Sequence, residues 1–177
     1  MVWTIDTTHS EVTFSVRHMM FSKVTGSFNV FKATLEIDED HPENSWVEAE
    51  AEAVSIDTRD EKRDAHLRSS DFFDVEQYPL LTFKSKTVEP LGDRRYHIVG
   101  DLTLHGVTRE VTFEALYGGQ ISKEHNPFGD RRAGLSAVTT INRKDFGLTW
   151  NFTLETGGFM VGEEVRIEIN LEAITEN

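Results

Sequence analysis

The chain has 177 residues, a formal net charge of −13 and no cysteine. A chain of this length builds one domain with a sizeable core, expected here over residues 1–177, and the absence of thiols excludes disulfides and cysteine chemistry. The negative charge argues against nucleic acid as a partner, because binding to phosphates requires positive charge, and no apolar run reaches the roughly 20 residues of a transmembrane segment.

Apolar and polar residues alternate along most of the chain, which is the pattern of half-buried β-strands. The first strand places Val12, Phe14 and Val16 on one face, and the second alternates over residues 31–37. Residues 47–53 alternate strictly between three glutamates and small apolar residues, so we interpret them as a strand with the glutamates in water. The inward face of this third strand consists mainly of alanines, which leave room inside a β-structure.

One charged stretch interrupts the alternation. Thr58 and Glu61 have the spacing of a capping box and predict the start of a short helix that continues over residues 62–70. Two adjacent phenylalanines, Phe72 and Phe73, follow this stretch, and the alternation then resumes. The predicted helix therefore lies between the third and fourth strands.

Five further strands complete the pattern. They cover residues 81–88, 96–104, 111–117, 133–141 and 165–173. The dipeptide His105-Gly106 marks a tight turn between two of them. Eight antiparallel strands with short connections predict an all-β fold, in which an eight-stranded meander closes on itself as a barrel.

The sizes of the inward-facing residues decide whether such a barrel is filled or hollow. Eight of the predicted inward residues are small, namely Ala33, Ala49, Ala51, Ala53, Gly100, Ala115, Ala133 and Ala137. Alanine in place of a large core side chain typically costs about 2–5 kcal/mol, so many small residues suggest that a ligand fills the space. The alternative is that phenylalanines such as Phe14 and Phe83 interdigitate with the small residues. A ligand would be long and apolar, because few inward residues are polar.

Strand phase predicts which residues contact such a ligand. The predicted lining comprises Phe14, Val16, Phe28, Ala49, Ala51, Phe83, Leu102, Phe113, Leu135, Ala137 and Ile167. A second irregular region, residues 142–162, is rich in aromatic residues, and the mouth is predicted to combine these with the two phenylalanines after the helix. The predicted mouth residues are Phe72, Phe73, Phe146, Trp150 and Phe159. His18 and Arg132 are candidate contacts for a polar head group.

The other candidate sites are less specific. The seven histidines show no metal-ligand spacing, and we predict no metal and no cofactor. His18 continues the inward series of the first strand, so a haem-binding barrel with this residue as axial ligand is one alternative. A lipid-ester hydrolase using His9 and Ser10 is another, although the chain contains no nucleophile-elbow motif. The pairs Arg131-Arg132 and Arg143-Lys144 could bind a phosphate or pair with surface acids.

Short motifs from one end of the chain to the other resemble the YceI-like family. They are HSEVTFSVRH (9–18), VTGSF (24–28), HLRSSDFFD (66–74), YP (78–79), TF (82–83), GDLT (100–103), GVT (106–108), RKDFG (143–147) and VGEEV (161–165). The resemblance covers essentially the whole chain and implies a lipocalin-like barrel that holds a polyisoprenoid-type lipid in its tunnel. The family is one of binding or carrying proteins, so the resemblance implies no catalysis.

We therefore expect an all-β, eight-stranded antiparallel, lipocalin-like barrel with a short helix between strands 3 and 4. Its expected function is to bind, sequester or transport a long-chain isoprenoid, such as a polyprenyl phosphate or an isoprenoid quinone, or a related lipid. The N-terminus shows no signal peptide, so the expected location is the cytoplasm, with a periplasmic or secreted location as the alternative if a leader has been trimmed from the N-terminus. Exposed strand edges or the mouth aromatics could support a homodimer.

Overall fold

The alternating segments pair as antiparallel strands in the computed structural model, which describes residues 1–175. The strands are β1 (Val2–Ile5), β2 (Glu11–His18), β3 (Ser22–Phe28), β4 (Phe31–Glu36), β5 (Trp46–Glu52), β6 (Ile56–Asp57), β7 (Leu80–Gly92), β8 (Arg95–Leu104), β9 (Val107–Ile121), β10 (Arg131–Asn142) and β11 (Val161–Thr175). An α-helix, α1, covers Glu61–Arg68. Among residues 1–175, no helix combines the length and the apolar character that crossing a membrane requires.

Eight strand positions close into a barrel, which confirms the predicted fold class. Three positions are interrupted strands, because β1 continues into β2, β3 into β4, and β5 into β6, and the strands β7 to β11 supply the other five. The ring closes at β11, which pairs with β1 at Ala173 and Ile174 and with β2 between Val165 and Asn170. Each position is hydrogen-bonded to the next in an up-and-down order, as short connections predict.

The helix lies between the third and fourth positions, as predicted, but its N-terminal cap differs. Asp60 caps the helix, since its side chain accepts a hydrogen bond from the Arg63 amide at 2.9 Å. Thr58 is buried and donates its hydroxyl to the Asp64 carboxylate at 2.5 Å. The capping-box prediction was wrong. Thr58 hydrogen-bonds to the buried Asp64 of the helix, and Asp60, which directly precedes the helix, is its N-terminal cap instead.

One end of the barrel, the closed end, is sealed by apolar side chains. Phe146 is 1% exposed and packs with Leu148 in the loop that joins β10 to β11. Phe73 packs against the same cluster and meets the Phe28 ring edge-on, with the ring centroids 5.8 Å apart. Leu67 of α1 packs against the buried cluster that contains Phe28. Helix, loop and strands therefore exclude water from this end together.

Some of the small inward residues serve close packing and leave no space. A Cβ atom on Gly100 would lie 2.5 Å from Cζ of Phe83, so the phenylalanine ring occupies the room that the glycine leaves. Ala133 is 1% exposed and belongs to the buried cluster around Trp3. Large aromatic side chains thus fill part of the barrel, as the filled-barrel alternative predicts for these positions.

A buried arginine holds the closed-end loop together. Arg143 is 3% exposed, and its guanidinium donates hydrogen bonds of 2.6–3.2 Å to the backbone carbonyls of Leu148, Trp150, Val161 and Gly162. Burial lowers the pKa of this guanidinium, but arginine keeps its charge in proteins, so the carbonyl oxygens are stabilising partners. The loop between β10 and β11 is therefore fastened to the start of β11 through one side chain.

Arg143→Lys should lower the free energy of unfolding by about 2–4 kcal/mol, because an ammonium group cannot reach all four carbonyls and buried acceptors would lose their donors. Lys144→Gln is the matched control, since the neighbouring lysine forms an exposed ion pair with Glu163 at 2.7 Å. Such a pair contributes at most about 1 kcal/mol. Urea denaturation followed by circular dichroism measures both variants. Equal losses would contradict the structural role given to Arg143.

Candidate functional site

The barrel interior contains a cavity of about 220 Å³. One water molecule needs only about 10–15 Å³ on a comparable measure, so the cavity has room for an extended molecule. Its wall is formed predominantly by aliphatic and aromatic side chains. The aromatic members are Phe14, Phe28, Phe31, Trp46, Phe83, Tyr96, Phe113 and Tyr117. An interior of this kind suits an apolar ligand far better than a polar one.

Ten of the eleven residues that strand phase assigns to the lining lie on the cavity wall. They are Phe14, Phe28, Ala49, Ala51, Phe83, Leu102, Phe113, Leu135, Ala137 and Ile167. Of the other small residues, Ala33 and Ala115 also lie on the wall, whereas Ala53, Gly100 and Ala133 do not. Small residues thus open the cavity along part of the barrel only. Contact of the lining residues with a ligand stays a prediction.

The cavity reaches the surface at the end of the barrel opposite to the closed end. The loop over residues 37–45, which we call the strap, joins β4 to β5 at this open end. Its contributions to the cavity wall are Ile37, Asp38, Glu39, Pro42 and Ser45. Glu39 is solvent-exposed and also lines the cavity, so the cavity and bulk water meet at the strap.

The strap is fastened across the open end. Glu39 accepts hydrogen bonds from the Tyr117 hydroxyl at 2.5 Å and from the Gln120 side-chain amide at 2.8 Å. Both donors belong to β9, which lies opposite β4 in the ring of strand positions. These hydrogen bonds lower the pKa of Glu39, while burial and the nearby carboxylate raise the pKa of Tyr117. At neutral pH the phenol therefore donates to an ionised carboxylate, the stronger kind of hydrogen bond.

The strap also carries its own internal order. The Asp38 carboxylate accepts hydrogen bonds from the amides of Asp40 at 3.1 Å and His41 at 2.8 Å, and its backbone amide donates to Ser45 Oγ at 3.0 Å. The amide of His41 contributes most to lowering the pKa of Asp38. The strap is thus a shaped loop with an ionised carboxylate at its centre.

Two residues of the first predicted strand do not reach the cavity. Val16 and His18 lie beyond Phe14 on β2, toward the closed end, and neither is on the cavity wall. Val16 pairs there with Val24 and Val165, and His18 ends the strand. The structure corrects both positions, because the closed-end side chains fill the barrel before these residues are reached.

The five aromatic residues predicted at the mouth lie at the closed end or on its surface. They are Phe72, Phe73, Phe146, Trp150 and Phe159. Phe73 and Phe146 belong to the seal, while Phe72 and Trp150 pack around His66 with ring centroids 4.7–5.3 Å apart. Phe159 is 48% exposed in the same loop as Trp150. Their position is corrected because an aromatic run indicates packing but does not show which barrel end it covers.

Arg132, predicted as a head-group contact, is engaged by three carboxylates instead. Its guanidinium pairs with Asp6 and Asp130, each at 2.9 Å, and with Glu172, and these hydrogen bonds raise its pKa. It is not on the cavity wall. Asp6, Glu172 and His9 are close enough together to hold a metal ion, but the guanidinium bridges the two carboxylates and takes the place of a cation. The structure therefore assigns Arg132 to a surface ion-pair network.

His9 and Ser10 lie between β1 and β2 and are not on the cavity wall. Nδ1 of His9 hydrogen-bonds to the Asp6 carboxylate at 2.8 Å, and the Ser10 hydroxyl accepts from the Glu172 amide at 3.0 Å. Within residues 1–175, the two side chains form no hydrogen bond with each other. The geometry therefore provides no nucleophile and base beside the cavity.

Some of the cavity residues that sequence reasoning missed lie at the open end. Tyr96 and Tyr117 line the cavity and continue faces that strand phase already points inward, so the alternation could have found them. Asp38 and Glu39 line it from the strap. No periodicity could reveal these two, because a loop has no repeat that fixes its direction over the barrel.

Comparison of the sequence with known proteins identifies the family of this chain. A model of the YceI-like domain matches residues 3–173. A UPF0312 protein of Staphylococcus aureus strain N315 is 39% identical over 173 residues, which cover 96% of this chain and 95% of that protein. The same identity and coverage hold for a UPF0312 protein of Staphylococcus aureus strain Mu50. The similarity therefore extends over nearly the full length of this chain and of each relative.

Solved structures share the barrel. BcnA of Burkholderia cenocepacia superposes with a TM-score of 0.81 at 23% identity, covering 95% of this chain and 98% of that one. A YCEI protein of Campylobacter jejuni gives 0.75 at 27% identity, covering 91% and 90%. A polyisoprenoid binding domain of Saccharophagus degradans gives 0.69 at 15% identity, covering 98% of both chains. Because BcnA and the Saccharophagus degradans domain are 23% and 15% identical to this chain, the comparison with these two proteins shows a shared fold alone.

We expect the hydrogen bonds between the strap and β9 to control access to the cavity. Because the chain has no cysteine, an Ala137→Cys variant reports access through the rate at which a thiol reagent labels the cavity wall. Adding Tyr117→Phe should raise this rate roughly tenfold, since a hydrogen bond to a charged group contributes about 1.5–3 kcal/mol and Gln120 still holds part of the strap.

The matched control is Tyr96→Phe in the same background, which removes a hydroxyl from another tyrosine of the cavity wall but leaves Glu39 fastened. Equal labelling rates for the two tyrosine variants would contradict a strap held by Tyr117. Unchanged circular dichroism spectra establish that both variants are folded.

Proposed function

We propose that this chain, which belongs to the YceI-like family, binds a long-chain isoprenoid or related lipid in its barrel and sequesters or transports it. Candidate ligands are an isoprenoid quinone and a polyprenyl phosphate. Binding consists of burying the apolar chain, with no covalent step.

The observation that carries the proposal is the apolar cavity inside a closed barrel. An isoprene unit resembles a leucine side chain in size, so each unit sheltered from water gains about 2–3 kcal/mol before the loss of chain freedom is subtracted. Several units together can outweigh that loss. A polar ligand would gain little, because the described wall offers few polar side chains away from the open end.

Proteins of similar fold support the proposal. The domain of Saccharophagus degradans is named for polyisoprenoid binding, so a barrel of this kind can hold such a chain. No enzymatic activity is mentioned in the names of the two Staphylococcus aureus relatives, BcnA and the Campylobacter jejuni protein. A binding role fits these names and the cavity alike.

The two alternative functions lack a site at the cavity. No histidine is among the described residues of the cavity wall, so His18 is not in place as an axial ligand for haem. The hydrolase alternative needs His9 and Ser10 beside a bound ester, and both lie outside the wall. Lipid binding is the function that the cavity favours.

Solvent extraction of the purified protein, followed by mass spectrometry, should yield an isoprenoid or related lipid in stoichiometric amount. If the extract contains none, a fluorescent polyprenyl analogue added to the protein should bind and be displaced by an unlabelled isoprenoid. Absence of both a native lipid and analogue binding would falsify the proposal.

Ala51→Phe and Ala137→Leu should each reduce retention of the lipid or analogue at least tenfold, because they add bulk to opposite walls of the cavity. Overpacking costs typically about 1–3 kcal/mol, so circular dichroism and urea denaturation must show that each variant remains folded. Glu52→Phe is the control, since it places the same ring on an exposed position of β5. Undiminished retention in both folded cavity variants would count against ligand binding in this cavity.

A further inference from the structure

We propose that the open end selects lipids with an uncharged head group and disfavours anionic ones, such as a polyprenyl phosphate or a fatty acid. The inference rests on the proposed function and narrows its ligand class. It is carried by three observations: the charge of the strap, the ionised carboxylates on the cavity rim, and the engagement of the cations that would otherwise bind an anion.

The strap lies within the most acidic part of the chain. Residues 33–58 contain nine aspartates and glutamates and neither lysine nor arginine. Asp38, Glu39, Asp40 and Glu43 all belong to the strap. A head group that leaves the apolar cavity at this end must therefore pass a loop that carries four carboxylates.

The carboxylates on the cavity rim are ionised at neutral pH. Glu36, Asp38 and Glu39 all line the cavity, and the pKa of each is lowered. For Glu36 the chief cause is the Met1 amino group, which pairs with it at 2.8 Å, followed by the Trp46 indole, which donates at 3.0 Å. Asp38 and Glu39 therefore place ionised carboxylates on the rim beside the head group of a lipid whose tail fills the cavity, whereas the Met1 ammonium offsets the charge of Glu36.

The arginines nearest to the open end are partly engaged, since the buried Nε of Arg131 has no hydrogen-bond partner within residues 1–175. Arg131 lies over the Trp3 ring at 5.9 Å and donates to the Gln120 side-chain carbonyl at 2.7 Å. Arg94 donates weakly to the Gly118 carbonyl at 3.4 Å. Both arginines lie close enough to Glu39 to offset part of its charge.

The other basic residues that the sequence suggested for phosphate binding are paired with carboxylates or buried. Arg132 is surrounded by three carboxylates, Arg143 is buried at the closed end, and Lys144 pairs with Glu163 at 2.7 Å. A phosphate is normally held by free guanidinium or amide donors. Within residues 1–175, the cavity rim offers no such cluster of donors, whereas its carboxylates can accept a hydrogen bond from an alcohol.

The test compares two ligands that differ only in the head group, geranylgeraniol and geranylgeranyl monophosphate, as competitors of a fluorescent isoprenoid. The wild-type protein should bind the alcohol roughly tenfold more tightly than the phosphate at low salt, and the preference should shrink as salt screens the rim. Asp40→Lys with Glu43→Lys should reduce or reverse the preference. Within residues 1–175, neither carboxylate takes part in the hydrogen bonds that shape the strap, so the fold should be kept.

The control variant is Glu76→Lys with Glu155→Lys, which changes the net charge equally at exposed positions of the closed end. Unchanged affinity for the alcohol shows that both double variants are folded. Equal affinity for the two ligands, tighter binding of the phosphate, or the same effect in the control variant would overturn the inference while the proposed function stands. Failure of both ligands to bind would overturn the proposed function as well.

Discussion

The structure depends on closure of the hydrogen-bonded ring at β11. This strand pairs with β1 near Ala173 and with β2 from Val165 to Asn170, so the first and last parts of the chain complete the barrel together. Once the ring is closed, one face of every strand is removed from water and the other is exposed. The period of two in the sequence then becomes a division between inside and outside, and it is this division that creates an interior able to hold an apolar molecule.

The interior is hollow only where small residues meet no large neighbour. Gly100 faces the Phe83 ring and Ala133 packs near Trp3, so these positions are filled. Ala51 and Ala137 lie on opposite walls at the third and seventh positions of the ring, and the space between such walls remains open. The filled-barrel and hollow-barrel interpretations are thus both correct, each for a different part of the same interior.

The two ends of the barrel differ in chemistry as well as in shape. The closed end is sealed by Phe73, Phe146 and Leu148 and fastened by the buried Arg143. The open end is crossed by an acidic strap, and Glu39 of the strap accepts hydrogen bonds from the opposite wall. An apolar chain with one polar end therefore has a single favourable orientation, because its tail gains by burial and its head group stays hydrated beside the strap.

The sequence by itself determined eight of the described strands, the helix between the third and fourth positions, and the inward faces that supply ten of the eleven predicted lining residues, whereas β1, β3 and β6 were not predicted. These features follow from alternation within one strand, which is a local property. Only the tertiary structure decided that Val16 and His18 lie beyond the cavity, that Phe146 seals the far end and that Arg132 is held by carboxylates. It also decided that the strap crosses the open end, where Glu39 is hydrogen-bonded to β9. Those outcomes depend on which side chains meet across the barrel, and residues distant in the chain meet only after the ring has closed.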